Sequence, residues 1–368
     1  MPLPLTSYPG VEADPAWSPD GRQVAFVWNG KTGKDFDIYV LTLGESEPRR
    51  LTTAEGADLQ PAWPPDGRWI AYQRGPDPAG FWSVHLVSSA GGEDRELLRR
   101  AAPVGDVEWS RDGRSLIVQM VRTSRRVADL WKVPLDGGIP RRVTRAPDDI
   151  VGDMRPALSP DGRMLAFCRK TAWRTAEVFL LEVTPDLEPV GEPRQATHLG
   201  FVDRPVWMPD GSRLLFEASG KGAGIWQLEV HTGRLSPVIG PPDTASQPAV
   251  IRRPDGHTAL VFTNQHVEQA IWRYAAADRA AAPVQLVPST RSQFLPQFSN
   301  DGTHLAFSST RSGSPEIWIA RVDGTGLRQM TDMRHPVTDM GHWSPDDTIL
   351  SFVAHTREGR RLYFVAVP

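Results

Sequence analysis

Carboxylates and arginines that recur along the whole chain are the side chains best suited to chemistry or binding. The carboxylates of interest are Asp14, Asp58, Asp106, Asp153, Asp203 and Asp339. Arg155 and Arg204 stand among them and could hold a carboxylate, whereas Arg74, Arg126 and Arg174 lie in separate basic segments. Paired carboxylates can transfer protons, and a group of them can bind a cation or a basic peptide. Which chemistry is expected depends on the elements that position them.

Motifs for metal binding and covalent catalysis are sparse. His335, Asp339 and His355 lie near one another in the sequence and could gather a metal, but the nine histidines lack the spacing of a ligand set. The sequence contains no Gly-x-Ser-x-Gly motif, and no glycine-rich pattern of a phosphate or dinucleotide site. We therefore predict no cofactor and no catalytic residue. The alternative is a metal site formed by His335, Asp339 and His355.

One short motif recurs eight times and defines the organisation of the chain. It first reads Trp17-Ser18-Pro19-Asp20-Gly21, and its Asp recurs at positions 20, 66, 112, 161, 210, 255, 301 and 346, in steps of 45 to 49 residues. Pro presets φ, Asp can accept a hydrogen bond from the backbone two residues on, and Gly accepts a positive φ. We interpret the repeated Asp as turn chemistry between two strands, not as a row of catalytic carboxylates.

Each repeat predicts four short strands. In the first repeat they centre on Asp14-Pro15-Ala16-Trp17, Val24-Ala25-Phe26, Ile38-Tyr39 and Arg50-Leu51-Thr52; the second repeat departs at Val84-His85. Four strands in about 46 residues are one blade of a β-propeller. The large residues at the position of Trp17 are expected to fill the wedge between neighbouring blades.

The two ends of the chain predict how the ring closes. After the eighth turn only two further strands follow, whereas Pro4-Leu5-Thr6-Ser7 matches the fourth strand at Arg50-Leu51-Thr52-Thr53. A strand at about residues 3–8 would complete the last blade and remove its open edge. The predicted fold class is all-β: an eight-bladed β-propeller with four antiparallel strands per blade, forming one domain over residues 1–368.

The repeated pattern Trp-Ser-Pro-Asp-Gly-Arg, an apolar trio ending in Phe, Ile-Trp and a Leu-Thr strand resembles the PD40 (WD40-like) β-propeller repeat of the TolB family. The resemblance covers the whole chain and implies a binding platform rather than an enzyme. The repeat is also similar to the sensor propellers of bacterial winged-helix regulators and Ser/Thr kinases. A further similarity, to oligogalacturonate lyase propellers, would make His335, Asp339 and His355 a metal site.

In propellers of this kind the loops opposite the Pro-Asp-Gly turns are the usual binding face. The six carboxylates named above lie on the loops that end at the first, inner strands, and Arg155 and Arg204 lie at inner positions beside them. All eight are therefore expected to surround the central channel. Arg74, Arg126 and Arg174 lie farther out, between second and third strands. The sequence thus predicts an acidic centre with a basic surround, which could admit a cation or a Lys- or Arg-bearing peptide.

Composition narrows the remaining function classes. A formal charge of −3 over 368 residues gives no support for nucleic-acid binding, and no apolar run reaches the length of a membrane helix. The single cysteine, Cys168, cannot form an internal disulfide. The start lacks a signal peptide, so the expected location is cytoplasmic, or periplasmic for a mature or excised domain.

We therefore predict a monomeric, non-catalytic propeller that binds a protein or peptide, or senses a ligand, at the loop face. Two alternatives stay open. One is a lyase or hydrolase with its site at the channel mouth, and the other is a sensor domain excised from a transcriptional regulator or kinase.

Overall fold

The computed structural model describes residues 5–6, 8–30, 35–122, 126–172, 175–218, 224–238, 245–264, 271–273, 284–287, 289, 293–312, 315–333, 337–356 and 359–367. Of residues 264, 272–273, 337–341, 355–356 and 359–360 only the backbone is described. Every strand or helix assigned in these ranges is a β-strand, and none of the described segments is a helix able to cross a bilayer. The chain divides into two compact units, Met1–Gln265 and His266–Pro368.

The first two repeats each form a four-stranded antiparallel sheet in which neighbours along the chain pair with each other. The strands of the first sheet are β1 (Glu12–Trp17), β2 (Gln23–Trp28), β3 (Asp37–Thr42) and β4 (Arg49–Arg50). Those of the second sheet are β5 (Asp58–Ala62), β6 (Trp69–Arg74), β7 (Trp82–Ser88) and β8 (Asp94–Arg100). This strand order is that of a propeller blade, as predicted.

The third and fourth repeats form two such sheets joined edge to edge by a parallel bridge between Ala128 and Gly152. The strands of the third sheet are β9 (Val104–Trp109), β10 (Ser115–Val121), β11 (Ala128–Pro134) and β12 (Arg141–Arg142). Those of the fourth sheet are β13 (Gly152–Leu158), β14 (Met164–Ala172), β15 (Thr175–Val183) and β16 (Pro189–Gln195).

The fifth repeat forms another four-stranded sheet, and the sixth contributes a hairpin to the first unit. The strands of the fifth sheet are β17 (Val202–Trp207), β18 (Arg213–Ala218), β19 (Gly224–Glu229) and β20 (Leu235–Pro237). Those of the hairpin are β21 (Ala245–Arg252) and β22 (Thr258–Asn264).

The second unit contains the rest of the sixth repeat and the last two repeats. A two-stranded sheet pairs β23 (Trp272–Arg273) with β24 (Val284–Gln285). The seventh sheet has four strands, β25 (Gln293–Phe298), β26 (His304–Ser309), β27 (Glu316–Arg321) and β28 (Arg328–Gln329). The eighth has three among the described residues, β29 (Val337–Trp343), β30 (Ile349–Thr356) and β31 (Gly359–Ala366).

The Pro-Asp-Gly turns have the chemistry that the sequence predicts. In the first one, Asp20 Oδ1 accepts hydrogen bonds from Ser18 Oγ at 2.6 Å and from the Arg22 N–H at 3.0 Å. Gly21 has a φ of 66°, which explains the glycine. The bond from Ser18 lowers the pKa of the Asp20 carboxyl, so this group is committed to the turn.

Adjacent sheets pack face to face through aliphatic and aromatic side chains. The repeated tryptophans lie between sheets, and their indole N–H groups donate to the preceding inner strand: Trp63 to the Ala16 carbonyl at 3.2 Å, and Trp109 to the Ala62 carbonyl at 2.9 Å. Trp207 repeats the contact with the Ala157 carbonyl at 2.9 Å. The predicted wedge role is therefore confirmed for Trp63, Trp109 and Trp207, whereas the Trp17 indole N–H has no partner among the described residues and Phe298, at the same repeat position, is exposed.

In the first unit the inner strands β1, β5, β9, β13, β17 and β21 follow one another around a central axis, and β21 lies beside β1. The Asp14 N–H donates to Gln247 Oε1 at 2.9 Å across this last junction. The predicted single ring of eight blades is thus not confirmed, because the sixth inner strand meets the first. Closure by the N-terminal strand stays a prediction, since residues 3, 4 and 7 lie outside the described residues.

Candidate functional site

The six inner strands of the first unit enclose a cavity of about 520 Å³, here called the central cavity. Each strand contributes the residue three positions before the wedge residue, and we call this set the collar. Its members are Asp14, Gln60, Asp106, Arg155, Arg204 and Gln247. A cavity of this size, with few polar groups of defined chemistry, is typical of a ligand site.

A backbone irregularity positions the collar. Five members have a left-handed φ between 52° and 57°, an uncommon conformation for a residue with a Cβ, and each shifts the pairing register of its strand. In all five the next residue is proline, which has no N–H to lose at a bulge. Asp106 is followed by Val107 and lacks the left-handed φ. The pairing of β9 with β10 shifts register here too, so the x-Pro pair predicts the left-handed residue rather than the shift itself.

The bulges leave backbone N–H groups that need acceptors, and neighbouring strands supply them. The Gln60 N–H donates to Asp14 Oδ2 at 3.3 Å, and the Arg155 N–H donates to Asp106 Oδ2 at 3.3 Å. An arginine side chain cannot accept, so after Arg155 the carboxylate of Asp203 accepts the Arg204 N–H at 3.0 Å. Much of the acidity at the centre therefore satisfies the backbone.

The two collar arginines are consumed by ion pairs within the protein. Arg155 contacts Asp106, and its Nε lies 3.0 Å from Asp203 Oδ1; Arg204 lies 2.8 Å from Asp14 Oδ1. Burial alone would lower the pKa of the Arg155 guanidinium, but the charges of Asp106 and Asp203 outweigh it and raise that pKa. Their cationic charge is already neutralised by internal carboxylates.

Three side-chain atoms of cavity-lining residues have no hydrogen-bond partner among the described residues: Gln60 Oε1, Trp17 Nε1 and Asp14 Oδ1, the last of which is ion-paired with Arg204 at 2.8 Å. Gln60 Oε1 accepts no backbone N–H of this kind, since the next collar residue, Asp106, lacks the left-handed φ. The series of hydrogen bonds from one collar side chain to the next collar backbone N–H is therefore missing between the second and third sheets. A buried acceptor without a donor therefore remains in this part of the cavity wall.

A second ring of residues, two positions beyond the collar, forms the wall that we call the belt. It consists of Ala16, Ala62, Glu108, Ala157, Val206 and Ala249. Glu108 is its single ionisable member. Its Oε1 lies 3.6 Å from Arg111, and burial raises the pKa of its carboxyl.

Asp58 and Asp153, predicted at the channel mouth, are fully buried and do not line the central cavity. Arg74 binds Asp58 and Arg169 binds Asp153, each through two hydrogen bonds of 2.7 and 2.9 Å. These bidentate pairs connect the first and second strands of their sheets. Arg74, predicted as part of a basic surround, is therefore held inside the second sheet.

The other predicted residues are dispersed or fall outside the description. Arg126 is exposed in the loop before β11. Arg174 and His335 lie outside the described residues, as do the side chains of Asp339 and His355. The metal alternative for these histidines therefore rests on the sequence alone. Within the described residues, no three His, Cys, Asp or Glu side chains are grouped as metal ligands.

Glu108, Gln60 and Gln247 are site residues that the sequence reasoning missed. Aligning the inner strands by their wedge residue would have shown Glu108 where four other repeats have Ala. The same alignment would have placed the two glutamines in register with Asp14. The alignment signal lies within the strands, whereas the sequence prediction relied on the charges of the loops.

Comparisons with known proteins agree with this architecture. A family model described as TolB beta propeller domain, PD40, matches residues 4–187. The Tol-Pal system protein TolB of Anaeromyxobacter dehalogenans is 31% identical over 114 residues, which are 30% of this chain and 25% of that protein. Putative tricorn protease homolog 2 of Streptomyces coelicolor is 32% identical over 224 residues, 55% of this chain and 18% of that protein.

Among solved structures, a gluconolactonase of Xanthomonas campestris aligns with a TM-score of 0.52 at 17% identity, covering 70% of this chain and 84% of that one. That likeness concerns the fold alone. The chain spans a quarter or less of the length of the two curated relatives named above.

Proposed function

The chain belongs to the TolB β-propeller domain family, and on that premise we propose that it is a non-catalytic, monomeric module that binds a protein or peptide at the central cavity. The observation that carries this proposal is the collar. Five strained, left-handed residues in one ring direct their side chains at one cavity. Strain of this kind clusters where a ligand is bound, since the surrounding structure must maintain it.

The cavity suits recognition better than chemistry. Its two collar arginines already hold Asp14, Asp106 and Asp203, so neither is free to stabilise a developing negative charge. None of the described residues that line it is a histidine. What it offers is an apolar wall of alanines, prolines and tryptophans with a few fixed polar atoms, which is the composition of a binding pocket.

A selection experiment tests the proposal. Random 12-residue peptides displayed on phage are selected on the immobilised full chain, and the enriched peptides are synthesised and measured by fluorescence anisotropy. Ala16 lines the cavity, so Ala16→Phe fills part of it. The matched control is Ala54→Phe, on an exposed loop outside the cavity.

We expect Ala16→Phe to weaken binding by about tenfold or more, and Ala54→Phe to leave it unchanged. Failure to enrich any peptide, or equal binding by both variants, would reject the central cavity as the site. Light scattering of the free protein checks that it is a monomer.

Hydrolysis is the second candidate, and one constellation favours it. In the second sheet His85 Nε2 lies 3.0 Å from Ser83 Oγ, and His85 Nδ1 lies 3.1 Å from Asp94 Oδ1. This is the order of a Ser-His-Asp triad. However, Ser83 and His85 are buried, and Asp94 also accepts a 2.8 Å bond from the Tyr72 hydroxyl. The group is a closed polar network within the blade.

A fluorophosphonate reagent separates the two candidates, because it labels an activated serine. We expect no labelling of the native protein. Labelling that is lost in Ser83→Ala but kept in the neighbouring Ser88→Ala would establish the hydrolase instead.

A further inference from the structure

The belt of the central cavity has one ionisable member, Glu108, and we infer that it recognises a basic group, a lysine side chain or another primary amine, carried by the bound peptide. This inference rests on the proposed function and names the chemistry of its ligand. The belt is otherwise alanine and valine, so a carboxylate at this position has no general role in building the inner wall.

Access is the first requirement for such a role, and Glu108 meets it. About a quarter (26%) of its side chain is exposed, and it lines the cavity directly. It is not tied down as tightly as the other carboxylates. Arg111 lies 3.6 Å away, beyond hydrogen-bond distance, and the Leu158 N–H donates at a long 3.4 Å. By contrast, Asp153 has two arginine bonds below 3 Å.

The groups nearest Glu108 favour a positively charged ligand. Two further arginines line the cavity: Arg111 donates to the Ser159 and Leu158 carbonyls, and Arg252 lies exposed at the end of β21, three inner strands away from Glu108. The collar arginines are engaged by Asp14, Asp106 and Asp203, so the collar has no free cation for an anionic ligand. Apart from Asp14 Oδ1, which is ion-paired with Arg204, the collar oxygen without a hydrogen-bond donor is the buried Gln60 Oε1, on the strand next to Glu108. An ammonium group supplies three donors to the accessible Glu108 carboxylate, and the buried Gln60 Oε1 adds a partial negative charge to this part of the wall.

A cation that binds beside Glu108 gains free energy because folding has already removed part of the hydration of this carboxyl group. The Glu108 carboxyl resists ionisation in its buried position, so a cation placed beside it would relieve that penalty. A charge-assisted hydrogen bond in a cavity is also stronger than one on the surface. Apolar belt residues would meanwhile contact the methylene stem of a lysine.

The test uses the peptides selected on the full chain. Each enriched peptide that contains lysine is synthesised twice, with lysine and with acetyl-lysine, which keeps the stem and removes the charge. Both are titrated against wild type, Glu108→Ala and Glu108→Gln. Glu108→Ala restores the residue that four other inner strands carry, so it should fold. Glu55→Gln, an exposed loop carboxylate, is the matched control.

We expect wild type and Glu55→Gln to prefer the lysine peptide by about tenfold or more, and both Glu108 variants to bind the two peptides alike. Cavity-dependent peptides without any basic residue would overturn the inference and keep the proposed function. The same is true of a lysine preference that persists in Glu108→Ala. If Ala16→Phe leaves the binding of every selected peptide unchanged, the central cavity itself is rejected as the site.

Discussion

The buried pair of Asp153 and Arg169 separates a structural carboxylate from a binding one. Asp153 is fully buried and accepts two bonds from Arg169, at 2.7 and 2.9 Å. The guanidinium in turn stacks 4.8 Å from the ring centroid of Phe179. Asp153→Asn keeps the shape of the side chain and removes its charge, leaving Arg169 buried without its counter-ion.

Breaking a buried ion pair by removing one partner costs about 3–5 kcal/mol, because the remaining charge is uncompensated. For a unit of this size we expect the thermal midpoint to fall by roughly 5–10 °C. Differential scanning calorimetry measures this directly. Asp149→Asn, in the exposed loop before β13, is the control and should change the midpoint by less than about 1 °C.

A second variant tests the reason for the loss. Asp153→Leu combined with Arg169→Met removes both charges and should recover most of the stability, since apolar replacement of a buried pair is often neutral. An unchanged midpoint in Asp153→Asn would refute this reasoning. Peptide binding below the midpoint should be unaffected, because Asp153 does not line the central cavity.

Three further substitutions test other parts of the structure. Gly152→Ala would drive a Cβ into the backbone of β11, and we expect a loss of about 3 kcal/mol or more in urea melts, against about 1 kcal/mol for Gly233→Ala, which has a positive φ but open space. Asp347, with a φ of 57°, occupies the turn position where the other repeats have glycine, and its Oδ1 accepts a hydrogen bond from the Asn300 N–H at 2.8 Å. Asp347→Gly loses this bond, so we expect it to lower the stability by about 1 kcal/mol in thermal melts despite the relief of backbone strain. Because burial raises the pKa of the Glu108 carboxyl, its ionised form destabilises the fold above that pKa, and this penalty is relieved as the pH falls from 7 through it. The stability advantage of Glu108→Ala over wild type in urea melts should therefore be largest at pH 7 and shrink toward pH 4.

The blade could be predicted from the sequence because its information is local. The Pro-Asp-Gly turn, the flanking apolar strands and the tryptophan wedge all lie within about 30 residues of one another. The contact of Ser18 with Asp20 is local in this sense, whereas that of Trp63 with Ala16 joins neighbouring repeats and follows from the constant period. The number of inner strands around the axis is set by packing between distant repeats, here β21 with β1, and no local signal reports it.

The binding site was predicted less well because loop position was taken to decide what a carboxylate does. Hairpin register decides it instead. Asp58 is the cross-strand partner of Arg74, and Asp153 that of Arg169, so each acid faces a base across the pair and is neutralised by it. Counting back from each turn along both strands would have identified these pairs from the sequence. The same count does not show that Arg155 and Arg204 face Asp203 and Asp14 across different blades.

One substitution in the repeat connects backbone geometry to the proposed recognition. Where proline follows the collar residue, the strand bulges and its N–H is accepted by a neighbouring carboxylate or amide. Val107 replaces that proline in the third sheet, Asp106 keeps an ordinary φ, and Gln60 is left with an unused acceptor. The same strand carries Glu108 in place of alanine. The two departures from the repeat therefore coincide on β9, and this is why the proposed recognition of a basic group is assigned to the third blade.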